Sequence, residues 1–319
     1  MKISVLITER FELQSKIQLQ TCGLFEILED KKWFLKNNDE LKYIKALIIR
    51  SQTVVDDKLL SRFPKLELIV TGTTGFDHID LMACKKNNVI VSHCPDSHSA
   101  SAAELTWSLV LSCARRLKEC NKAIVDGDWD RQKLIGTELN GKTYGIIGLG
   151  RIGQKVAKIA QAFSMSVMAY DPYQEDKIFS DFKICRSSLE ELLSQADVIS
   201  IHTPLTTETR HMIGEMFLES VQPHAILINT ARGPIIHEKA LLNVLQNQKI
   251  GAVGLDVFEY EPLLKDSKLL KFKNVVVTPH VGATTHEAFY KSGQECKNKV
   301  IQFFTDKKIN DVLKETPLA

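Results

Sequence analysis

The chain has 319 residues, a formal net charge of +2, 44% hydrophobic residues and 25% charged residues. That balance fits a folded globular protein of two ordinary domains, excludes disorder, and gives no reason to expect nucleic acid or an anionic membrane as a partner. No apolar run approaches the roughly 20 residues that span a bilayer. The opening MKISVLITERFELQ lacks the apolar core and cleavage site of a signal peptide, so a cytoplasmic protein is expected.

In chain order, strands are predicted at ISVLI (3–7), ALIIR (46–50), LELIV (66–70) and NVIVS (88–92), with helical stretches at 58–60 and 81–87. This βαβ alternation implies a parallel sheet. In SASAAELTWSLVLSCARRLKE, 99 to 119, the stretch from Ala100 to Ala114 is apolar on nearly every face. It predicts a buried helix with Ser101 and Glu104 as a capping box, packed on a second domain or a partner chain. The helix is expected to run on to a stop at Asp126-Gly127.

After Asn140-Gly141 a second alternating series begins. Strands are predicted at 143–147, 166–171, 197–202, 225–229, 251–257 and 274–279, with helices at 152–163, 188–195 and 237–247 and a last one at about 286–305. The seven cysteines, Cys22, Cys84, Cys94, Cys113, Cys120, Cys185 and Cys296, are scattered and form no C-x-x-C pair. They read as reduced, mostly buried thiols, and no metal site is expected.

The second series opens with GIIGLGRIG. Gly148, Gly150 and Gly153 form G-x-G-x-x-G directly after a strand and at the start of a helix. The first permits a tight turn, the second lets backbone approach a pyrophosphate, and the third lets helix and strand pack closely. Alone, such a motif is often only a glycine-rich turn. Asp171, at the end of the next strand, adds a carboxylate that can accept both ribose hydroxyls and repel a 2′-phosphate. No arginine follows among Pro172, Tyr173 and Gln174, so NAD(H) is expected rather than NADP(H).

Ligands of an open parallel sheet lie beyond the C-terminal ends of its strands. Four strands deliver polar groups there: His202-Thr203, then Asn229 to Gly233 with Arg232, then Asp256 leading to Glu259 and Glu261, then His280 after Thr278-Pro279. A lone histidine is more often structural than chemical. An arginine, a carboxylate and a histidine converging on the edge that carries the glycine loop suggest a site. Histidine suits proton transfer near neutral pH, a paired carboxylate steadies its protonated ring, and an arginine grips a carboxylate bidentately. Together they describe a dehydrogenase of 2-hydroxy acids. Spacing alone leaves Glu259 and Glu261 as rivals.

The motifs GLGRIG, HTPLTTETRHMI, NTARGPIIHEKALLNVL, GLDVFEYEP and TPHVGATT, in this order, resemble the D-isomer-specific 2-hydroxyacid dehydrogenases along nearly the whole chain. The resemblance implies an oxidoreductase with Arg232, Glu261 and His280 as catalytic residues. It also implies two doubly wound parallel-sheet α/β domains. A flavodoxin-like substrate domain would comprise residues 1–98 and 285–319, with a Rossmann NAD-binding domain, 99–284, inserted into it. The substrate would lie in the cleft of such a pair. By the same resemblance Arg151 and Ile152 offer backbone groups to the pyrophosphate, while Thr74, Thr203, Thr230, Ala231, Asp256 and Gly282 line the cofactor. Gly72, Thr73 and Gly75 hold the substrate carboxylate, and the helix at 99–116 takes part in a homodimer.

Within the family, IIRSQTVV, SASAAELTWSLVLSCAR and DGDWDRQKLIGTELNGKTYGIIGLGRIG are most similar to the branch that oxidises 3-phosphoglycerate in serine synthesis. That implies a phosphorylated substrate, with Arg50 facing its phosphate and Arg131 reaching in from a partner subunit. The sequence ends at Ala319, so a serine-responsive regulatory domain is not expected. Three other readings are weighed: a reductase of glyoxylate, hydroxypyruvate or another unphosphorylated 2-oxo acid, an erythronate-4-phosphate dehydrogenase-like enzyme, and an NAD(H)-sensing corepressor-like binding protein.

Overall fold

A computed structural model describes residues 2–29, 32–36 and 38–313. The last six residues of the expected return segment, 314–319, lie outside the described residues. In chain order the elements are β1 (Ile3–Ile7), α1 (Leu13–Thr21), β2 (Phe25–Glu29), α2 (Asn38–Leu41), β3 (Ala46–Ile49), α3 (Asp57–Leu60), β4 (Leu68–Thr71), α4 (Leu81–Lys86) and β5 (Ile90–His93). Then come α5 (Ser99–Ala114), α6 (Leu117–Val125), β6 (Thr143–Ile147), α7 (Arg151–Ala162), β7 (Ser166–Tyr170), α8 (Asp176–Asp181), β8 (Cys185–Arg186), α9 (Leu189–Gln195) and β9 (Val198–Ile201). The chain closes with α10 (Glu215–Ser220), β10 (Ile226–Asn229), α11 (Glu238–Gln246), β11 (Ala252–Leu255), β12 (Val275–Val277) and α12 (His286–Asp306). The chain divides into two compact units, one of Met1–His98 with the return segment from Ala283, the other of Ser99–Gly282.

The first unit is a five-stranded parallel sheet of order β2-β1-β3-β4-β5, the flavodoxin-like order. Its inner strands, ALII and LIVT, are buried on both faces, which is why each reads as an unbroken apolar run. β2 was not anticipated. Its sequence FEILE buries Phe25 and leaves Glu26 and Glu29 exposed, because an edge strand pairs on one side only. α12 is capped by Thr285, whose hydroxyl accepts the Ala288 N–H, and packs on α1 and β4. Its Cys296, Val300 and Phe303 share one core with Val5, Ile7 and Val70 of the sheet.

The second unit is a seven-stranded parallel sheet of order β12-β11-β10-β9-β6-β7-β8. Six of these strands follow the doubly wound dinucleotide-binding order, and β12 extends the sheet. Its helices close two large apolar clusters, one on each side of strands such as β9 and β10.

The helix expected from 99 to 126 is instead two helices. α5 ends at Ala114, where the crossing chain at Gly136-Thr137 takes over: the Thr137 N–H donates to Ala114 O at 2.7 Å. Arg116 then adopts a left-handed φ of 51°. Its guanidinium, held by both Glu119 oxygens at 2.6 Å and by Lys133 O, fixes that turn before α6 starts. Ser101 lies inside the first turn of α5 rather than capping it, because the helix begins at Ser99. Nor does α5 need another domain to bury it: Trp107, Leu109, Val110 and Cys113 pack within their own unit, where the helix meets α7, β10 and β11. α6 buries none of its residues. Among the described residues no helix is long and apolar enough to cross a membrane.

Candidate active site

The sheet of the second unit brings the ends of β6, β7, β9, β10, β11 and β12 to one edge, because all its strands are parallel. Gly148, after β6, has φ 93°, which a side chain resists. A Cβ on Gly153 would lie 2.2 Å from Gly148 O, so the first turn of α7 can pack on the loop only with glycine there. A Cβ on Gly150 would meet nothing within 4 Å, so that position opens onto free space at the helix N-terminus. Asp171, one residue past β7, accepts the Leu149 N–H at 2.8 Å and the Tyr173 N–H at 3.0 Å. Its carboxylate is thereby fixed against the glycine loop.

Thr203 carries a buried hydroxyl with no hydrogen-bond partner among the described residues, and its methyl lies 2.8 Å from where a Gly148 Cβ would be. Thr230 Oγ1 is 2.8 Å from Thr106 Oγ1 of α5. Ala231 follows it, its N–H donating to Asn229 Oδ1 at 3.0 Å, while Asn229 Nδ2 donates to Arg232 O at 2.9 Å. Asn229 is 1% exposed and shapes the loop that presents Arg232. Open space above Gly150, the anchored Asp171 carboxylate and the orphaned Thr203 hydroxyl together fit a dinucleotide.

The carboxylate that reaches His280 is that of Glu261: its Oε2 is 2.7 Å from His280 Nδ1. Glu259 is engaged elsewhere, 3.0 Å from His211 Nε2 and accepting the Glu238 N–H. Glu261 Oε1 accepts the Phe258 N–H at 3.1 Å. Burial raises the Glu261 pKa, but the hydrogen bonds from His280 and the Phe258 amide, with the charges of His280 and Arg232, outweigh it and hold the carboxyl below its ordinary value. Glu261 is therefore an anion near neutral pH and accepts only, so His280 carries its proton on Nδ1 and leaves Nε2 for chemistry. The sign is that of a depressed carboxylate: the pair is intact at neutral pH and is lost as pH falls through the lowered Glu261 pKa.

His280 has a left-handed φ of 52°, a conformation that costs a histidine energy unless its neighbours enforce it. Asp256 enforces it. Fully buried, its carboxylate accepts from Thr278 Oγ1 at 2.6 Å and from the Val281 and Gly282 N–H groups at 2.8 Å, while its own carbonyl accepts the His280 N–H. Gly233 does similar work for Arg232. A Cβ there would lie 1.8 Å from Phe258 O, so only glycine lets the Arg232 loop touch the backbone that leads to Glu261. Gly233→Ala is expected to cost at least about 1–3 kcal/mol and to separate Arg232 from Glu261. Thermal unfolding and kcat/KM measured together check this.

The sequence places Asn229, Thr278 and Gly233 at the strand ends but assigns none of them a role in holding Arg232 or His280. Each had a local signal, since Asn229 and Gly233 flank the Thr-Ala-Arg turn and Thr278 precedes Pro279. What they touch is long-range and invisible in sequence. Arg151 and Ile152 stand in the first turn of α7, directly after Gly150. Arg131 is exposed at a single 3₁₀ turn, Arg131–Leu134.

The remaining expected contacts lie in the first unit. The loop after β4 is pinned from several sides: Gly72 N–H donates to Ile49 O at 2.8 Å, Ser292 Oγ donates to Gly72 O, and Thr73 Oγ1 donates to Gly75 O. Thr74 O is 2.8 Å from His93 Nδ1, and Thr74 Oγ1 donates to Cys94 O. Arg50 follows β3 and is half-buried. His98, buried at the end of this unit, lies 3.3 Å from the hydroxyls of Thr74 and Ser97. Burial, then the charge of Arg50, push its pKa down to about 4. An unfolded histidine binds a proton near pH 6.5, so His98 favours the folded chain above that pH. This contribution falls by about 1.4 kcal/mol per unit as pH drops toward the folded value. Unfolding midpoints of the wild type should therefore drop more between pH 7 and pH 5 than those of His98→Gln.

Residues 107–282 match the model of the D-isomer specific 2-hydroxyacid dehydrogenase, NAD binding domain. The chain belongs to the D-isomer specific 2-hydroxyacid dehydrogenase family. It is 42% identical over 256 residues to D-3-phosphoglycerate dehydrogenase of Methanocaldococcus jannaschii, covering 80% of this chain and 49% of that one. It is 38% identical over 282 residues to hydroxypyruvate reductase of Thermotoga maritima, covering 87% and 91%. The structure of D-lactate dehydrogenase from Aquifex aeolicus, solved with NAD and lactic acid, superposes with a TM-score of 0.84 at 31% identity, covering 95% and 96%. The chain spans about half the length of the D-3-phosphoglycerate dehydrogenases it matches.

Proposed function

We propose that this chain interconverts a D-2-hydroxy acid and its 2-oxo acid with NAD(H), and that the substrate is 3-phosphoglycerate or 3-phosphohydroxypyruvate. The observation that carries the reaction class is the pairing of His280 with Glu261 at 2.7 Å, beside the charge of Arg232, on the edge that bears the glycine loop. Gly148, Gly150 and Gly153, with Asp171 on the ribose, would hold the nicotinamide cofactor, which would supply or accept the hydride.

The chain's own residues do the rest. Arg232 grips the substrate carboxylate through two parallel hydrogen bonds and polarises the adjacent carbonyl. His280 Nε2 takes the hydroxyl proton in oxidation and returns it in reduction. Glu261 holds the ring by Nδ1 and stabilises it when it becomes cationic. The first unit is assigned the Gly72–Gly75 loop for the carboxylate, through the backbone N–H groups of Thr73 and Gly75 because that of Gly72 is bound to Ile49 O, and Arg50 for the phosphate.

Asp171→Ala is expected to weaken NADH binding about 10- to 100-fold, the loss of one or two hydrogen bonds to a charged acceptor. It should also narrow the preference over NADPH. Titration of both cofactors, with an unfolding control because Asp171 holds two loop amides, checks this.

We assign a homodimer to the surface around α6, where Leu117, Ile124, Val125, Trp129 and Ile135 are each more than half exposed. Arg131 lies in the same stretch, in line with a contribution to a partner's site. A second reading, an unphosphorylated 2-oxo acid as substrate, is favoured by the similarity to hydroxypyruvate reductase over nearly its full length and to glyoxylate reductase of Thermococcus litoralis.

The test is NADH oxidation with phosphohydroxypyruvate beside hydroxypyruvate, glyoxylate and pyruvate. Preference for the phosphorylated acid supports the first reading. Preference for an unphosphorylated one supports the second. NADH binding without turnover on any of them overturns both.

A further inference from the structure

We propose that Arg10 is a specificity-determining residue of this site, forming with Arg50 and Phe289 a subsite for the phosphate-monoester end of the substrate. The inference rests on the reading that the substrate is a phosphorylated 2-oxo or 2-hydroxy acid. It adds a residue to which neither motif nor spacing pointed.

The geometry comes from three distant pieces of the first unit. Arg10 lies beyond the end of β1 and Arg50 beyond the end of β3. These strands are hydrogen-bonded neighbours in a parallel sheet, so both arginines emerge at its C-terminal edge. In a doubly wound sheet that is the ligand edge. Phe289, in the first turns of α12, meets both of them. The Arg10 guanidinium carbon is 5.0 Å from its ring centroid and that of Arg50 is 5.7 Å away.

Two guanidiniums on one ring repel each other, and the face of the ring offsets this only in part. Ordinarily a carboxylate would complete such a cluster. Among the described residues none does. Glu9, the immediate neighbour of Arg10, is turned to backbone: it accepts from the N–H groups of Arg50 and Thr53 at 3.0 and 2.9 Å and from Thr53 Oγ1 at 2.8 Å. Glu12 caps α1, accepting from Gln14 N–H, Ser15 N–H and Ser15 Oγ. The carboxylates adjacent in sequence are thus engaged by backbone and hydroxyl donors, and neither guanidinium has a carboxylate partner among the described residues. His98 reports the same field, since the charge of Arg50 helps to keep its buried ring neutral.

The ligand chemistry follows from the donors. Each guanidinium offers five N–H groups in a planar fork that fits two oxygens at once. A carboxylate has two oxygens and one charge and is satisfied by one arginine. A phosphate monoester has three terminal oxygens and close to two charges, and so uses both. Arg10 therefore favours a phosphorylated acid over its unphosphorylated counterpart.

The experiment compares phosphohydroxypyruvate with hydroxypyruvate, which differ only in the phosphate, on the wild type, Arg10→Ala, Arg10→Lys and Arg50→Ala. It adds calorimetric binding of 3-phosphoglycerate to each protein with NADH bound, where no turnover occurs. Arg10→Ala is expected to lower kcat/KM for the phosphorylated acid about 10- to 100-fold, the loss of one or two charge-assisted hydrogen bonds. Hydroxypyruvate should stay within about twofold, Arg10→Lys should fall between, and the Kd of 3-phosphoglycerate should rise in parallel. An unchanged phosphorylated substrate, or equal losses on both with an unchanged unfolding midpoint, would overturn the role of Arg10. A wild type that reduces only unphosphorylated acids, yet binds 3-phosphoglycerate through Arg10, would overturn the assigned substrate and keep the subsite. A wild type that binds no phosphorylated ligand would overturn the subsite itself.

Discussion

Replacing His280 with alanine is expected to lower kcat about 10²- to 10⁴-fold, the usual contribution of a positioned general acid or base. The affinity for NADH should stay within about twofold, because the glycine loop and Asp171 do not touch His280. The reason lies in the pairing of its ring. Glu261 is anionic near neutral pH and takes the Nδ1 proton, so Nε2 is the atom left to exchange a proton with the substrate. Alanine removes that atom and leaves the rest of the edge in place. Asp256 still holds the turn through Thr278, Val281 and Gly282. Stopped-flow measurement of NADH consumption at saturating 2-oxo acid reads the effect. Near-normal turnover in the variant would remove His280 from the chemistry.

The second large effect belongs to Arg232. Arg232→Ala is expected to lower kcat/KM by about 10²-fold or more, since two charge-assisted hydrogen bonds to the substrate carboxylate, each of about 1.5–3 kcal/mol, are lost together. Both KM and kcat should suffer, because the same side chain anchors the acid and polarises its carbonyl. Lysine should not restore it: a point charge cannot supply the parallel pair of donors. A variant in which KM alone rises would show that Arg232 binds the substrate without assisting the reaction.

Much of this site was legible because a parallel sheet converts order in the chain into position at one edge. Once GLGRIG marked the mouth of the second sheet, Asp171, Arg232 and His280 had to emerge on the same side, each from the end of a strand. What the residues alone could not decide was the carboxylate. Glu259 and Glu261 are two positions apart in one loop. The contact of Glu261 with His280, and those of Glu259 with His211 and the Glu238 amide, separate them. The similarity of motifs named Glu261; no spacing rule did.

Other features depended on contacts that no local pattern encodes. Arg116 breaks an apolar stretch that reads as one helix, because Gly136 and Thr137 cross its end. β2 escaped notice because an edge strand with one buried residue shows no apolar run. Arg10 looks like an ordinary surface arginine until α12 brings Phe289 to the end of β1.

The measurement that tests the central claim most directly is the configuration of the product. The protein, NADH and its best prochiral 2-oxo acid are incubated, any phosphate is removed enzymatically, and the hydroxy acid is resolved on a chiral column. The D enantiomer alone is predicted, formed at the rate of NADH loss and absent with His280→Ala. The L enantiomer, a racemate, or no hydroxy acid from any member of the panel would contradict the account.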